Sequence, residues 1–142
     1  MTILKKAAVR WVILGLGFVA YWLVVRFLMS EGQGDANIGI GLLAFGLLLV
    51  AAGVGGLVDG FRLPAGQAVL IWCCTAPAVG LTVAAPLLFE ETGMDLAVLL
   101  EDLAGMVVFV SVLVAVPAVT SVAIGSAIAT SRAQRPSTSP EG

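Results

Sequence analysis

Residues 103–131 read LAGMVVFVSVLVAVPAVTSVAIGSAIATS, a stretch that no charged side chain interrupts. An α-helix that crosses a bilayer needs about 20 predominantly apolar residues, so this stretch is long enough to span a membrane. Three further segments meet the same criterion, at about residues 8–29, 36–58 and 67–89. The sequence therefore predicts an all-α integral membrane protein whose residues 1–131 form a four-helix bundle.

The composition of the whole chain agrees with this fold class. Of its 142 residues, 60% are apolar and 11% are charged, whereas soluble domains average roughly 45–50% and about 25%. Residues 132–142 are rich in Ser and Pro and lack large apolar side chains. We therefore expect this segment to be a disordered cytoplasmic tail.

The charge and the missing residue types exclude several functions. A net charge of −2 without a basic stripe argues against nucleic-acid binding. The chain has no His, and its two cysteines, Cys73 and Cys74, are adjacent, which fits neither a disulfide framework nor a zinc site. No Ser or Cys has a base beside it that would make it a nucleophile. We expect no enzyme activity, no metal site and no cofactor.

The lysines and arginines that flank the spans predict the orientation. Six fall on one side of the membrane and only Arg26 falls on the other. Cytoplasmic flanks are enriched in Lys and Arg, so both termini are expected in the cytoplasm of a plasma-membrane protein. The six are Lys5, Lys6, Arg10, Arg62, Arg132 and Arg135. The opposite side is acidic, with Glu31, Asp35, Glu90, Glu91, Asp95, Glu101 and Asp102.

The link before the last span has helical signals of its own. Thr92-Gly93-Met94-Asp95 fits the capping pattern that precedes an apolar run. One straight helix from residue 93 to residue 131 would be roughly 58 Å long, well beyond a hydrocarbon core of about 30 Å. We predict a short interfacial helix before the last span, or an outward extension of that span.

Small residues in span two predict where it packs. Gly39, Gly46, Gly53 and Gly60 recur every seven residues, and Ala52 with Gly56 forms a small-xxx-small pair. In lipid, helices associate through such close backbone contacts. This seam holds span two against another helix of the same chain, or else forms a homodimer interface or a sliding surface.

Three prolines fall within predicted spans. Pro77 and Pro86 lie in span three and Pro117 lies in span four. Each removes a backbone hydrogen bond and is expected to kink its helix. Such a kink is either a passive feature of packing or a bend that function requires.

A candidate substrate site lies near the outer ends of the spans. Arg26 is within the apolar stretch of span one, and Glu101 and Asp102 open span four on the same side. Arg26 either snorkels to the headgroups or pairs with one of these acids, which requires the first and last spans to pack side by side. Tyr21 and Trp22 are interface anchors, packing residues or the lining of a ligand cavity.

A second pair of charges lies toward the inner side. Asp59 ends span two at a depth close to that of Arg10 in span one. Antiparallel neighbouring helices would bring the two side chains together. The pair is either a structural clamp or an inner gate with a proton-accessible carboxylate.

Short motifs along the chain resemble a known family. They are Val-Val-Arg-Phe at 24–27, Val-Asp-Gly at 58–60, and Val-Pro-Ala at 116–118 followed by Thr-Ser-Val-Ala-Ile-Gly at 120–125. In order and spacing they resemble small four-span actinobacterial proteins catalogued as relatives of the drug/metabolite transporters. The resemblance implies transport. The positions that it singles out are Arg26, Asp59, Gly60, Asp102 and Pro117.

Small multidrug exporters also have four spans and pack as dimers, but they carry a membrane-embedded Glu in span one. Span one of this chain has no acid, which argues against proton-coupled cation export. We expect a small transporter or transporter-like protein of unknown substrate that acts as a homodimer in the lipid bilayer. The alternative is an accessory or assembly protein that binds a partner protein or lipid.

Overall fold

The computed structural model describes residues 2–28, 37–86, 88 and 96–134. Four helices lie within them, and each is long and apolar enough to cross a membrane. Large apolar side chains such as Leu4 and Leu42 point outward. The prediction of four long apolar helices is confirmed, and their apolar exteriors indicate a membrane protein. The helices are α1 (Ile3–Leu28), α2 (Asn37–Arg62), α3 (Ala65–Ala84) and α4 (Leu96–Ala133).

The ends of α3 and α4 differ from the predicted spans. Pro77 and Pro117 lie inside helices, but α3 ends at Ala84, two residues before Pro86. The prediction that Pro86 kinks span three is therefore corrected: Ala85 still has helical φ and ψ and donates to the Leu81 carbonyl oxygen, but Pro86 has no N–H with which to continue the helix. Residues 96–102 form the first turns of α4 itself, which agrees with an outward extension of the last span.

Several predictions fall outside the described residues. They concern the cap at Thr92–Asp95, the tail from Arg135 onward, and the acids of the two loops on the acidic side, which are Glu31, Asp35, Glu90 and Glu91.

The four helices form a ring in the order α1, α3, α4, α2. The most extensive interface joins α2 to α4, followed by α3 with α4 and α1 with α3, whereas α1 touches α2 at few points. The first and last helices thus lie diagonally opposite each other, which corrects the expectation that they pack side by side. We call the end where α1 and α3 begin the Asp59 end, and the opposite end the Arg26 end.

The core lies between α2, α3 and α4. Trp72 and Ile71 of α3 and Val110, Val114 and Val122 of α4 are almost fully buried. By contrast, α1 is the least buried of the four helices. It is attached to a unit that the other three helices form.

Glycines bring α2 and α4 into backbone contact at the Asp59 end. A Cβ added at Gly56 would overlap the Ala118 carbonyl oxygen, and one added at Gly60 would lie 2.5 Å from the Val122 carbonyl oxygen. Gly125 of α4 approaches α2 as closely, because its Cβ would lie 2.6 Å from the Leu57 carbonyl oxygen. The seam therefore follows a spacing of four residues, in agreement with the small-xxx-small pair.

Of the seven-residue glycine series, only Gly60 makes this close contact with α4. A Cβ added at Gly39 or Gly46 would meet no described atom of another helix within 4 Å, and Gly53 makes only ordinary contact with Ser121. The reason lies in the ring contact of Phe45 with Phe109, whose centroids are 5.6 Å apart in an edge-to-face arrangement. Toward the Arg26 end, α2 and α4 are therefore in contact through these side chains.

Candidate functional site

Arg10 and Asp59 form a bidentate ion pair at the Asp59 end. The Arg10 Nε donates to Asp59 Oδ2 at 2.6 Å, and Nη2 donates to Oδ1. The remaining Nη1 donates to the Lys6 carbonyl oxygen at 3.2 Å. Asp59 is only 3% exposed. The structure thus brings together the two charges that the sequence placed at similar depth.

Trp72 is the third member of this cluster. Its indole Nε1 donates to Asp59 Oδ2 at 2.9 Å, and the side chain is buried. Gly55 makes room for it, because a Cβ at that position would lie 2.7 Å from Trp72 Cζ2. One carboxylate therefore joins α1, α2 and α3. No buried polar side-chain atom of the described residues lacks a hydrogen-bond partner, so the donors and acceptors of this cluster are satisfied.

Sequence reasoning missed the Trp72 bond and the role of Gly55. Trp72 is one of three tryptophans in the chain, and its indole supplies a donor to a buried charge. One signal was present: Gly55 lies one turn before Asp59 and therefore on the same face of α2.

A groove separates α1 from α2 in the middle of the bundle. The two helices meet at Arg10 and Asp59 near one end, and at the other end the Tyr21 hydroxyl donates to the Ile40 carbonyl oxygen at 2.7 Å. Between these contacts lies a partly open cavity of about 350 Å³ with an almost entirely apolar lining. The lining consists of Ile13, Leu14, Gly17, Phe18, Tyr21, Ala44, Leu47, Leu48 and Ala51.

Of the two aromatic candidates near the Arg26 end, only Tyr21 lines the groove. Trp22 is 45% exposed and faces away from it. The Arg26 guanidinium lies over the Trp22 ring, with its Cζ 5.9 Å from the ring centroid. Arg26 and Trp22 therefore form a cation–π pair on the outside of α1.

The structure does not bring Arg26 together with Glu101 or Asp102. All three side chains are exposed, and they lie on helices at diagonal corners of the ring. Among the described residues the only ion pair is that of Arg10 with Asp59. The expected pairing within one chain is therefore corrected, because α2 and α3 stand between α1 and α4.

Comparison of the chain with protein-family models, with curated proteins and with solved structures finds no match. The resemblance to four-span transporter relatives thus stays a prediction from short motifs. What the protein does has to follow from the geometry of its own helices.

Proposed function

We propose that the protein is a small transporter-like membrane protein that binds an apolar or weakly amphiphilic molecule in the groove between α1 and α2. The observation that carries this proposal is the groove itself. It lies midway along two membrane-length helices, and polar contacts at Arg10 and Tyr21 hold those helices together at either end.

The lining of the groove defines the substrate class. It contains no charged side chain, so a charged solute would lose its hydration without gaining a partner there. The one polar group is the Tyr21 hydroxyl, whose oxygen can still accept a hydrogen bond while it donates to Ile40. A volume of about 350 Å³ falls within the range of small-molecule pockets, which is about 300–1,000 Å³. The substrate is therefore lipid-soluble and enters from the bilayer.

The packing of the helices supports a movement that opens and closes the groove. The glycine seam at Gly56 and Gly60 locks α2 onto α4, whereas α1 is the least buried helix. Because α1 touches α2 at few points, its displacement would change the groove, and in the core it would disturb chiefly the contacts of Leu14 and Phe18. Hinged or sliding helices of this kind are a common basis of transport.

The proposed orientation places the Asp59 end in the cytoplasm of a plasma-membrane protein. It rests on the excess of Lys and Arg at that end, where Lys5, Lys6 and Arg62 lie. Both termini are then cytoplasmic.

Two copies are proposed to act together, and charges at the Arg26 end support this. Arg26 lies 16 residues along α1 from Arg10, a rise of about 24 Å. Asp102 lies 16 residues before Ala118 on α4, and Ala118 contacts α2 at Gly56, about one turn from Asp59. Asp102 is therefore about 28 Å along the bundle from the level of Asp59. Opposite charges at similar heights on opposite corners of the ring can pair between copies, with α1 of one copy beside α4 of the other.

The test of the groove uses cells that produce the protein and a neutral lipid-soluble dye, Nile red. Cells with the wild-type chain should accumulate a different amount of dye from cells with an empty vector. Gly17→Phe fills the groove and should abolish that difference. The matched control is Gly105→Phe, because Gly105 is exposed, contacts no other helix and lies outside the groove. If Gly17→Phe and Gly105→Phe both behave as wild type, the groove is not the binding site.

The alternative function, an accessory protein that binds a partner, is favoured by one observation. Gly39 and Gly46 are exposed and leave a small-residue face of α2 uncovered, which suits a helix of another protein. This alternative predicts that Gly46→Leu releases a defined partner, whereas Gly17→Phe has no effect. The transporter-like function predicts the reverse.

A further inference from the structure

A second cavity lies at the Asp59 end, away from the groove. It has a volume of about 490 Å³ and is bounded on one side by the turn from α2 to α3, residues 60–65. The last turns of α4 form the other side, where Ser126 and Thr130 lie on the wall. About half of the lining is polar, in contrast to the groove.

Two arginines give this cavity a positive field. Arg62 lines it directly, and Arg132 stacks on the lining residue Phe61 with its Cζ 5.9 Å from the ring centroid. No Asp or Glu is among the lining residues. The nearest carboxylate in the sequence, that of Asp59, is engaged by Arg10 and Trp72. Among the described residues, neither Arg62 nor Arg132 is ion-paired with a carboxylate, so both guanidinium groups can bind an anion.

Neutral donors add to this field. The helix α3 begins at the cavity wall after Pro64, and no side chain caps it there. The Gln67 and Ala68 N–H groups donate to the Pro64 carbonyl oxygen, whereas those of Ala65 and Gly66 have no acceptor within the helix and favour negative charge. The Ser126 and Thr130 hydroxyls now donate to carbonyl oxygens of their own helix, and such local bonds are readily exchanged for a stronger acceptor.

We propose that this cavity binds the phosphate group of an anionic phospholipid. Tetrahedral oxyanions match both the fork of an arginine and the amide groups of a helix start. The cavity lies where α2 and α4 end, and helices of membrane length end near the lipid headgroups. Phe61, Val58 and Ile128 present exposed apolar surface there, against which acyl chains can pack. This site goes beyond the proposed function and depends neither on the groove nor on the substrate.

The experiment uses the purified full chain in dodecyl maltoside micelles. Dioleoylphosphatidylglycerol, dioleoylphosphatidylcholine or inorganic phosphate is added, bound lipid is counted by native mass spectrometry, and unfolding is followed by tryptophan fluorescence. Phosphatidylglycerol should bind and raise the unfolding temperature, whereas phosphatidylcholine and inorganic phosphate should not. Inorganic phosphate that binds as tightly as phosphatidylglycerol would show a free-anion site and overturn the assignment to lipid.

Three variants test whether the cavity is responsible. Arg62→Gln and Arg132→Gln should each weaken phosphatidylglycerol binding roughly fivefold. Ala127→Phe, which fills the cavity without a change of charge, should weaken it to a similar extent. The matched control is Lys5→Gln, which removes an exposed charge from the same end and should change binding by less than about twofold. Equal losses in Lys5→Gln and Arg62→Gln, or none in Ala127→Phe, would show general surface attraction and refute the site.

Discussion

The Arg10 guanidinium and the Asp59 carboxylate are joined by two parallel N–H···O bonds, one of them 2.6 Å long from Nε to Oδ2. Trp72 donates to the same carboxylate from a third helix. A buried charge without its partner is far more costly than the intact pair. The stability of the bundle therefore depends on all three side chains being present together.

Removal of one member of the ion pair should destabilise the bundle strongly. We expect Asp59→Ala or Arg10→Ala to lower the free energy of unfolding by about 3 kcal/mol, because each leaves a buried polar or charged group unpaired. The double variant Arg10→Ala/Asp59→Ala should be less destabilised than the sum of the two single variants. The measurement is a double-mutant cycle on thermal unfolding in detergent. Strictly additive losses would mean that the two side chains do not stabilise each other.

The glycine seam predicts that the same substitution has different effects on stability at two positions of α2. Gly56→Ala should lower the free energy of unfolding by about 2 kcal/mol, because its methyl group overlaps the Ala118 carbonyl and α4 has to move. Gly46→Ala is the matched control, since nothing described lies near its Cβ. It should leave stability unchanged or raise it slightly through helix propensity. Equal losses at both positions would contradict the seam.

The proposed contact between two copies can be tested by cross-linking. The native Cys73 and Cys74 are exposed, so their replacement by alanine should be tolerated and should leave a cysteine-free background. In that background, a chain with Arg26→Cys should form a disulfide with a chain that has Asp102→Cys when the membranes are oxidised. The control pair Arg26→Cys with Ala127→Cys, at opposite ends of the bundle, should not. The absence of a cross-link in the first pair would show that Arg26 and Asp102 do not meet between two copies.

The orientation has its own test in the same cysteine-free background. A membrane-impermeant maleimide added to intact cells should label a cysteine at Gln33 and spare one at Ser137. The expected pattern follows from the concentration of Lys and Arg at the Asp59 end. Labelling at Ser137 alone would show that the orientation is opposite to the proposed one.

The four helices could be predicted from apolar runs alone. In lipid an α-helix satisfies all its backbone hydrogen bonds within itself, so a long enough apolar run is sufficient to specify one. The contact of Arg10 with Asp59 could be predicted from the similar depth of the two residues in the membrane, because a short link makes α1 and α2 antiparallel. Which helices are neighbours did not follow. That order depends on where Gly56, Gly60 and Gly125 allow backbones to meet and where the side chains of Phe45 and Phe109 make the contact instead. Such contacts join residues that are far apart in the sequence, and no periodicity within one helix encodes them.

The central position of α4 has a consequence for biosynthesis. The two helices that precede it, α2 and α3, touch each other at few points, and each packs chiefly on α4. Until the ribosome has made this last helix, Gly56 on α2 and Gly80 on α3 have no partner backbone to meet. Truncation anywhere before residue 107 would remove both contacts. The chain thus acquires its native packing only after α4 has been made, and a product that lacks α4 should be recognised and degraded as unassembled.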